Sequence, residues 1–259
     1  MKKSDVSANN KNTGYIDYDE FNIARDKIIG RMHNDKGIGT LSEKTLHAVL
    51  KNYYEPDDDK HEVAIDGYYA DIFNDSGIIE IQTRQLNKLR DKLSVFLEEY
   101  HVTVVYPLAY NKWLSWIDTE SGEVSTKRKS PRHYTEYDAF FELYKIKQML
   151  KHPNLSIHLV LMDIEEYKFL NGWNYTKKRG ATRYDRVPVG VRRIVKLDRP
   201  EDYMQFVPIE LGDDEFMVKD FAKAAKVHED TARLSLNILN YLGVVKRVGK
   251  KGNAYVYSC

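Results

Sequence analysis

The chain has 259 residues, of which 42% are hydrophobic, 12% aromatic and 31% charged, with a net charge of +1. That length holds a sizeable core and two folded units, and the apolar content excludes disordered and fibrous classes. Near-neutral charge excludes a histone-like basic glue, but basic residues cluster at Lys127 to Arg132, Lys177 to Arg199 and Lys246 to Lys251, and such stripes can bind phosphates locally.

Residues Met1 to Tyr15 are rich in Asn, Lys and Ser and have no apolar h-region, so a flexible tail is expected there and not a signal peptide. Phe21, Ala24, Ile28, Ile29 and Met32 recur at helical spacing and predict a short amphipathic helix ending before Gly37, so that 1–36 is tail plus helix. Ser42, with Leu46, Val49, Leu50 and Tyr53 on one face, predicts a capped helix over 41–54 with Glu43 in its first turn. From His61 to Thr83, β-branched and aromatic residues broken by Gly67 and by Asn74 to Gly77 predict three short strands in a meander. Leu86, Leu89, Leu93, Phe96 and Leu97 predict a helix over 84–100, running into a buried strand at Val102 to Tyr106. Beyond it come a hairpin (112–117 with 123–128), a helix over 136–150 and an apolar strand at 155–162. The core unit is expected at 37–170, and the polar, basic stretch 171–204 reads as a connecting segment.

Residues 205–259 have their own pattern: a helix at 218–225, a turn, a helix at 231–242 closed by Gly243, and two strands around Lys250-Lys251-Gly252-Asn253. Helix, turn, helix and β-hairpin is the winged-helix order. Arg233 and Asn237 would face the major groove, and Lys246, Arg247, Lys250 and Lys251 would grip the backbone from the wing. No apolar run approaches the roughly 20 residues of a membrane span. The one cysteine, Cys259, permits no internal disulfide, which fits a cytoplasmic setting.

The stretch that carries chemistry is Asp71-Ile72-Phe73, a glycine turn, then Ile78-Ile79-Glu80-Ile81-Gln82. Strand alternation puts Glu80 and Gln82 on one face with Ile79 and Ile81 behind, and a hairpin partner can bring Asp71 alongside. Two converging carboxylates are stable chiefly around a divalent cation; oxygen ligands suit Mg2+ or Mn2+, whose bound water can attack a phosphodiester. The bland reading is a solvated edge-strand Glu, a turn Asp, and a Glu43 that only complements a helix dipole.

The element order with Glu43, Asp71 and Glu80-Ile81-Gln82 resembles the PD-(D/E)XK superfamily of restriction enzymes, resolvases and repair exonucleases. The phrases Gly39 to Lys44, Glu80 to Thr83, Lys127 to Pro131 and Gly252 to Tyr255 look like a bacterial family of nuclease-like proteins with a winged-helix tail. The resemblance implies an α/β fold with a restriction-endonuclease-like core, an αβββαβ mixed sheet, and a small C-terminal winged-helix domain. It implies Asp71 and Glu80 as metal ligands, Glu43 as an accessory ligand, and Gln82 in the place usually held by a catalytic lysine. Some active members tolerate glutamine there; others recruit a lysine from the following helix, for which Lys88 is a candidate. The expected activity is Mg2+- or Mn2+-dependent DNA cleavage, with Lys127, Arg128, Lys129 and Arg132 flanking the site on phosphates. Many members dimerise to cut both strands, so a homodimer joins DNA among the expected partners. The alternative is a non-catalytic DNA-binding or regulatory protein on a degenerate nuclease core.

Overall fold

A computed structural model describes residues 14–34, 45–171, 182–212 and 214–259. Its order is α1 (Tyr18–Asn34), α2 (Thr45–Tyr54), β1 (His61–Ile65), β2 (Tyr68–Asn74), β3 (Gly77–Ile81), α3 (Arg90–Glu99), β4 (Val102–Ile117), β5 (Arg128–Lys129), α4 (Phe140–Leu143), β6 (Leu155–Phe169), β7 (Thr182–Leu197), β8 (Phe216–Met217), α5 (Val218–Ala225), α6 (Glu229–Leu242), β9 (Lys246–Lys251) and β10 (Ala254–Ser258). The protein is α/β. A seven-stranded mixed sheet runs β1-β2-β3-β4-β6-β7 with β5 added to β4, and a three-stranded sheet runs β8-β10-β9. The β3–β4 and β4–β6 pairs are parallel and the rest of the large sheet is antiparallel.

The sheet is covered on both faces, as parallel pairing requires. Ile79, Ile81, Val105, Val160 and Met162 pack with Phe21 and Ile28 of α1 and Leu46, Val49 and Leu50 of α2. Opposite them, Ile78, Val102, Val104, Ile157 and Leu159 pack against Leu93 and Phe96 of α3 and Phe140 and Leu143 of α4. That second cluster continues without a break into Phe216, Phe221, Leu236, Leu239 and Tyr257 of the C-terminal segment. An aromatic knot makes the join, with Phe206 at 5.0 Å from Phe140 and 5.8 Å from Tyr137, and Tyr137 at 6.3 Å from Phe221.

Several expectations are corrected. The strand at 102–106 runs on to Ile117, because a bulge between Ala109 and Asn111 resets its alternation and turns Tyr110 outward. The expected hairpin beyond it is therefore the outer half of β4 with two paired residues of β5 and a bridge from Ile117 to Val124. The helix over 136–150 is two 3-10 turns around one turn of α-helix, broken at Ile146, whose φ and ψ are −116° and 18°. Residues 84–100 begin not as helix but with Gln85 in the left-handed region, followed by a 3-10 turn at Leu86–Leu89. The largest correction is at 171–204. It is no connector: β7 pairs with β6 from Ile157↔Leu197 to Phe169↔Thr182 and forms the sheet's outer strand. Three register shifts in that pairing explain the lack of alternation in sequence. Among the described residues, no helix is long and apolar enough to cross a membrane.

Candidate active site

The β2–β3 ladder pairs Asn74↔Gly77, Phe73↔Ile78 and Ile72↔Ile79. Its continuation would pair Asp71 with Glu80, but there side chains take over from backbone. Asp71 N–H donates to Glu80 Oε1 at 3.3 Å, and Ile81 N–H donates to Asp71 Oδ2 at 2.7 Å. The hairpin opens just where β3 continues its parallel pairing with β4, at Glu80↔Val104 and Ile81↔Val105, so two carboxylates occupy the gap.

Neither is solvated like an edge-strand acid. Glu80 is 2% exposed, and Lys92 Nζ, from the first turn of α3, lies 2.6 Å from its Oε2. The Lys92 ammonium also sits 5.6 Å from the Phe96 ring centre, over an apolar floor. On the other side, His47 Nε2 of α2 stands 3.1 Å from Asp71 Oδ2. The quartet His47, Asp71, Glu80 and Lys92 draws on two helices and two strands.

These surroundings separate the two acids. Burial, with the Asp71 charge next to it, pushes Glu80 up to about 7, and Lys92 only partly offsets this. Burial also disfavours the Asp71 charge, but hydrogen bonding and charge from His47, the Ile81 N–H and Lys92 together hold that carboxyl below its usual value. Because the folded state binds the Glu80 proton more tightly than the unfolded chain, the stability tied to it is fully present below its ordinary value of 4.5 and is lost as pH rises to about 7. At about 1.4 kcal/mol per unit the loss is roughly 3 kcal/mol. The Asp71 shift acts in a separate window, below its ordinary value of 3.8. Chemical denaturation across pH 4.5–7 is therefore expected to show a fall in the wild type relative to Glu80→Gln; a pH-independent difference between the two would show that Glu80 does not carry this strain.

Gln82 is engaged in the turn after β3. Its amide donates to the carbonyls of Arg84 and, at 3.2 Å, of Gln85, clipping the turn that follows β3. Lys88 is exposed on the 3-10 turn, while Lys92, one helical turn further, is the cation that reaches the acids. Glu43 lies outside the described residues. Lys92 and His47 are the participants that sequence reasoning missed. Lys92 had a readable signal, since it lies three residues past Leu89 and four before Phe96, inside the apolar arc of its helix.

Among the described residues, no group of three or more His, Cys, Asp or Glu is placed to hold a metal ion. The donor chemistry of Asp71 and Glu80 nevertheless fits Mg2+ or Mn2+, which are commonly held by one or two carboxylates with water and phosphate completing the shell. Burial, and after it the Asp71 charge, raises Glu80, a strain that a divalent cation relieves.

The expected DNA-contacting residues fall in two places. Lys127 pairs with Glu165, Lys129 covers the Trp113 ring at 5.8 Å, Arg132 lies 4.4 Å over Tyr134 and pairs with Asp138, and Arg128 is exposed on β5. In the C-terminal segment, Lys246, Arg247, Lys250 and Lys251 are all exposed on the β9–β10 hairpin, with Tyr255 under Arg247 at 4.2 Å and under Lys250 at 4.9 Å. Helix α6 is less free. Arg233 pairs with Asp230, but Asn237 accepts from Lys147 Nζ at 3.1 Å and Tyr241 O–H donates to the Gln148 carbonyl at 3.3 Å. The Asn237–Tyr241 stripe is thus docked on the main body and not open to a groove.

Residues 44–198 match the family described as "Domain of unknown function (DUF8091)". An uncharacterised protein of Treponema pallidum (strain Nichols) is 29% identical over 167 residues, which is 64% of each chain; the present chain thus spans less than two thirds of that relative's length. No solved structure matches.

Proposed function

We propose that this chain, which belongs to the DUF8091 family, is a divalent-metal-dependent deoxyribonuclease of the PD-(D/E)XK kind whose C-terminal winged helix holds the DNA. One observation carries the reading: β2 and β3 part at Asp71 and Glu80, and a half-buried lysine from the next helix pairs with Glu80 there. A buried acid with a half-buried acid and a half-buried ammonium against it is costly at a strand break, and such costs are typical of sites built for chemistry. The sheet order and the αβββαβ succession from α2 to β4 agree with a restriction-endonuclease-like core.

In this reading Asp71 and Glu80 hold Mg2+ or Mn2+, which when bound supplies Lewis-acid polarisation and a more acidic water. His47 and the Ile81 N–H fix the Asp71 carboxylate in its ionised, ligating form. Lys92 provides the positive charge that glutamine at position 82 lacks, from a helix instead of from the strand. Gln82 keeps the turn after β3 closed. The β9–β10 hairpin grips phosphates, since its four cations are exposed while α6 is occupied.

Hydrolysis of end-labelled duplex and single-stranded DNA, with Mg2+, with Mn2+ and with chelator, tests the activity; cleavage is expected with metal and none with chelator. A second reading, a non-catalytic DNA-binding scaffold, is favoured by Lys92, which already neutralises Glu80 without a metal. It predicts DNA retention without cleavage under every condition, and affinity unchanged by Asp71→Ala. For the hairpin, the double variant Lys250→Ala with Lys251→Ala is expected to lower the slope of log K against log salt by about two, roughly one per phosphate contact. An unchanged slope in filter binding would remove the hairpin from the DNA interface.

A further inference from the structure

Away from the quartet of His47, Asp71, Glu80 and Lys92, the distal half of the large sheet gathers cations around one buried carboxylate. Glu166 on β6 is 2% exposed. Arg183 Nε of β7 lies 3.2 Å from its Oε2, Lys168 Nζ lies 3.3 Å from its Oε1, and Lys112 Nζ of β4 lies 4.0 Å from its Oε2. Arg186, which pairs directly across from Glu166 in the β6–β7 ladder, is a fourth cation. Arg84, at the end of the β3 turn, is near enough to Arg186 that its charge, after burial, helps depress Arg186 basicity.

One carboxylate cannot satisfy this group. Arg183 Nη1 and Arg186 Nε are buried with no hydrogen-bond partner, and Arg183 Nε faces Glu166 Oε2 only as an ion pair, so guanidinium donors are withdrawn from water and left over. The neighbouring acid Asp185 is already engaged by the Thr45 hydroxyl and, at 3.3 Å, by the Thr45 N–H. Unpaired buried donors and crowded like charges are both unfavourable, and an anion with several acceptor oxygens relieves both. Guanidinium groups match phosphate geometry in particular.

We propose that Arg183 and Arg186, with Lys112 and Lys168 around Glu166, form a binding site for a phosphate group, and that its occupant is a backbone phosphodiester of nucleic acid. The choice of occupant rests on the nuclease reading; the phosphate chemistry does not. Arg84 connects the two regions, since it follows the Gln82 turn at the end of β3 and its charge acts on Arg186.

The test needs no catalysis. The full chain, in chelator, is titrated with inorganic phosphate at constant ionic strength set by chloride, followed by calorimetry and by thermal unfolding. Saturable binding is expected, with Kd raised at least about tenfold by Arg186→Gln and by Arg183→Gln, one lost charge-assisted pair each. Glu166→Gln should change Kd in the opposite direction, tightening phosphate several-fold because it frees three cations. No saturable binding, or one Kd for wild type and all three variants, would overturn the site. Oligonucleotides with and without a 5′-phosphate then compete against inorganic phosphate. Equal competition is expected for a backbone phosphodiester, whereas competition by the phosphorylated form alone would overturn that occupant. A chain that binds phosphate as expected but never cleaves DNA fails the nuclease reading and leaves this site standing.

Discussion

Lys92→Ala is expected to slow metal-dependent DNA cleavage by roughly 100- to 1000-fold, the usual effect of removing one positioned charge or proton-transfer group from a reacting centre. The reason is geometric. Lys92 Nζ is 2.6 Å from Glu80 Oε2, Gln82 is turned away to the Arg84 and Gln85 carbonyls, and Lys88 is exposed one turn earlier. Lys88→Ala and Gln82→Ala should accordingly stay within about threefold of wild type. Removing Lys92 also strands Glu80 without its cation, and breaking a buried pair in this way costs about 3–5 kcal/mol when the remaining charge cannot neutralise. Glu80, pushed up to about 7, can take a proton, so the folding cost should be small at pH 6 and grow above pH 7. Single-turnover rates combined with unfolding curves at both pH values separate the two effects. A Lys92→Ala protein that is folded and fully active would remove Lys92 from the site, and a Lys88→Ala protein that is inactive would move the cation back to the expected position.

Phe206→Ala should cost about 3–5 kcal/mol, the range for emptying a buried aromatic site. Phe206 is 1% exposed and touches Phe140 at 5.0 Å, Tyr137 at 5.8 Å and Tyr203 at 6.0 Å, and its carbonyl accepts the Tyr137 hydroxyl at 2.9 Å. It sits where the large sheet's helical cover meets the C-terminal segment, inside one continuous core. A loss of that size is a large part of the roughly 5–15 kcal/mol of a typical domain. The shared core also predicts one cooperative transition for the wild type. Two well-separated transitions in calorimetry, with only the second moved by Phe206→Ala, would show that the C-terminal segment folds as a separate unit.

The portion of the fold visible in sequence is the portion with uninterrupted periodicity. The meander from His61 to Thr83, the helix stripe of Leu89, Leu93 and Phe96, and the pair of C-terminal helices closed by Gly243 with φ 88° all appear where their patterns predict. Reading stopped where a pattern is reset. In β4 the bulge after Ala109 switches which parity faces inward, so one strand of 16 residues looks like two elements. In β7 three register shifts mix inward and outward positions, and an outer sheet strand looks like a polar linker. The site was legible in its strand half. Asp71 and Glu80 were visible from hairpin geometry, because register is a local property of the turn. His47 was not, and Lys92 showed only as a cation inside the apolar arc of its helix, because which helical residue reaches a strand break is set by tertiary packing. Asn237 shows the converse: its place on a second helix suggested a base contact, and only the packing of α6 on Lys147 shows it engaged elsewhere.

Conversion of supercoiled plasmid to nicked and linear forms by wild type and Asp71→Asn, with Mn2+ and with chelator, tests whether Asp71 and Glu80 form a metal-dependent nuclease site. Cleavage by wild type in Mn2+ only is expected, with loss of at least about 100-fold in Asp71→Asn. Equal cleavage by both proteins would place the activity outside the Asp71 and Glu80 gap, and intact plasmid throughout, with both proteins retaining DNA, would contradict the nuclease assignment.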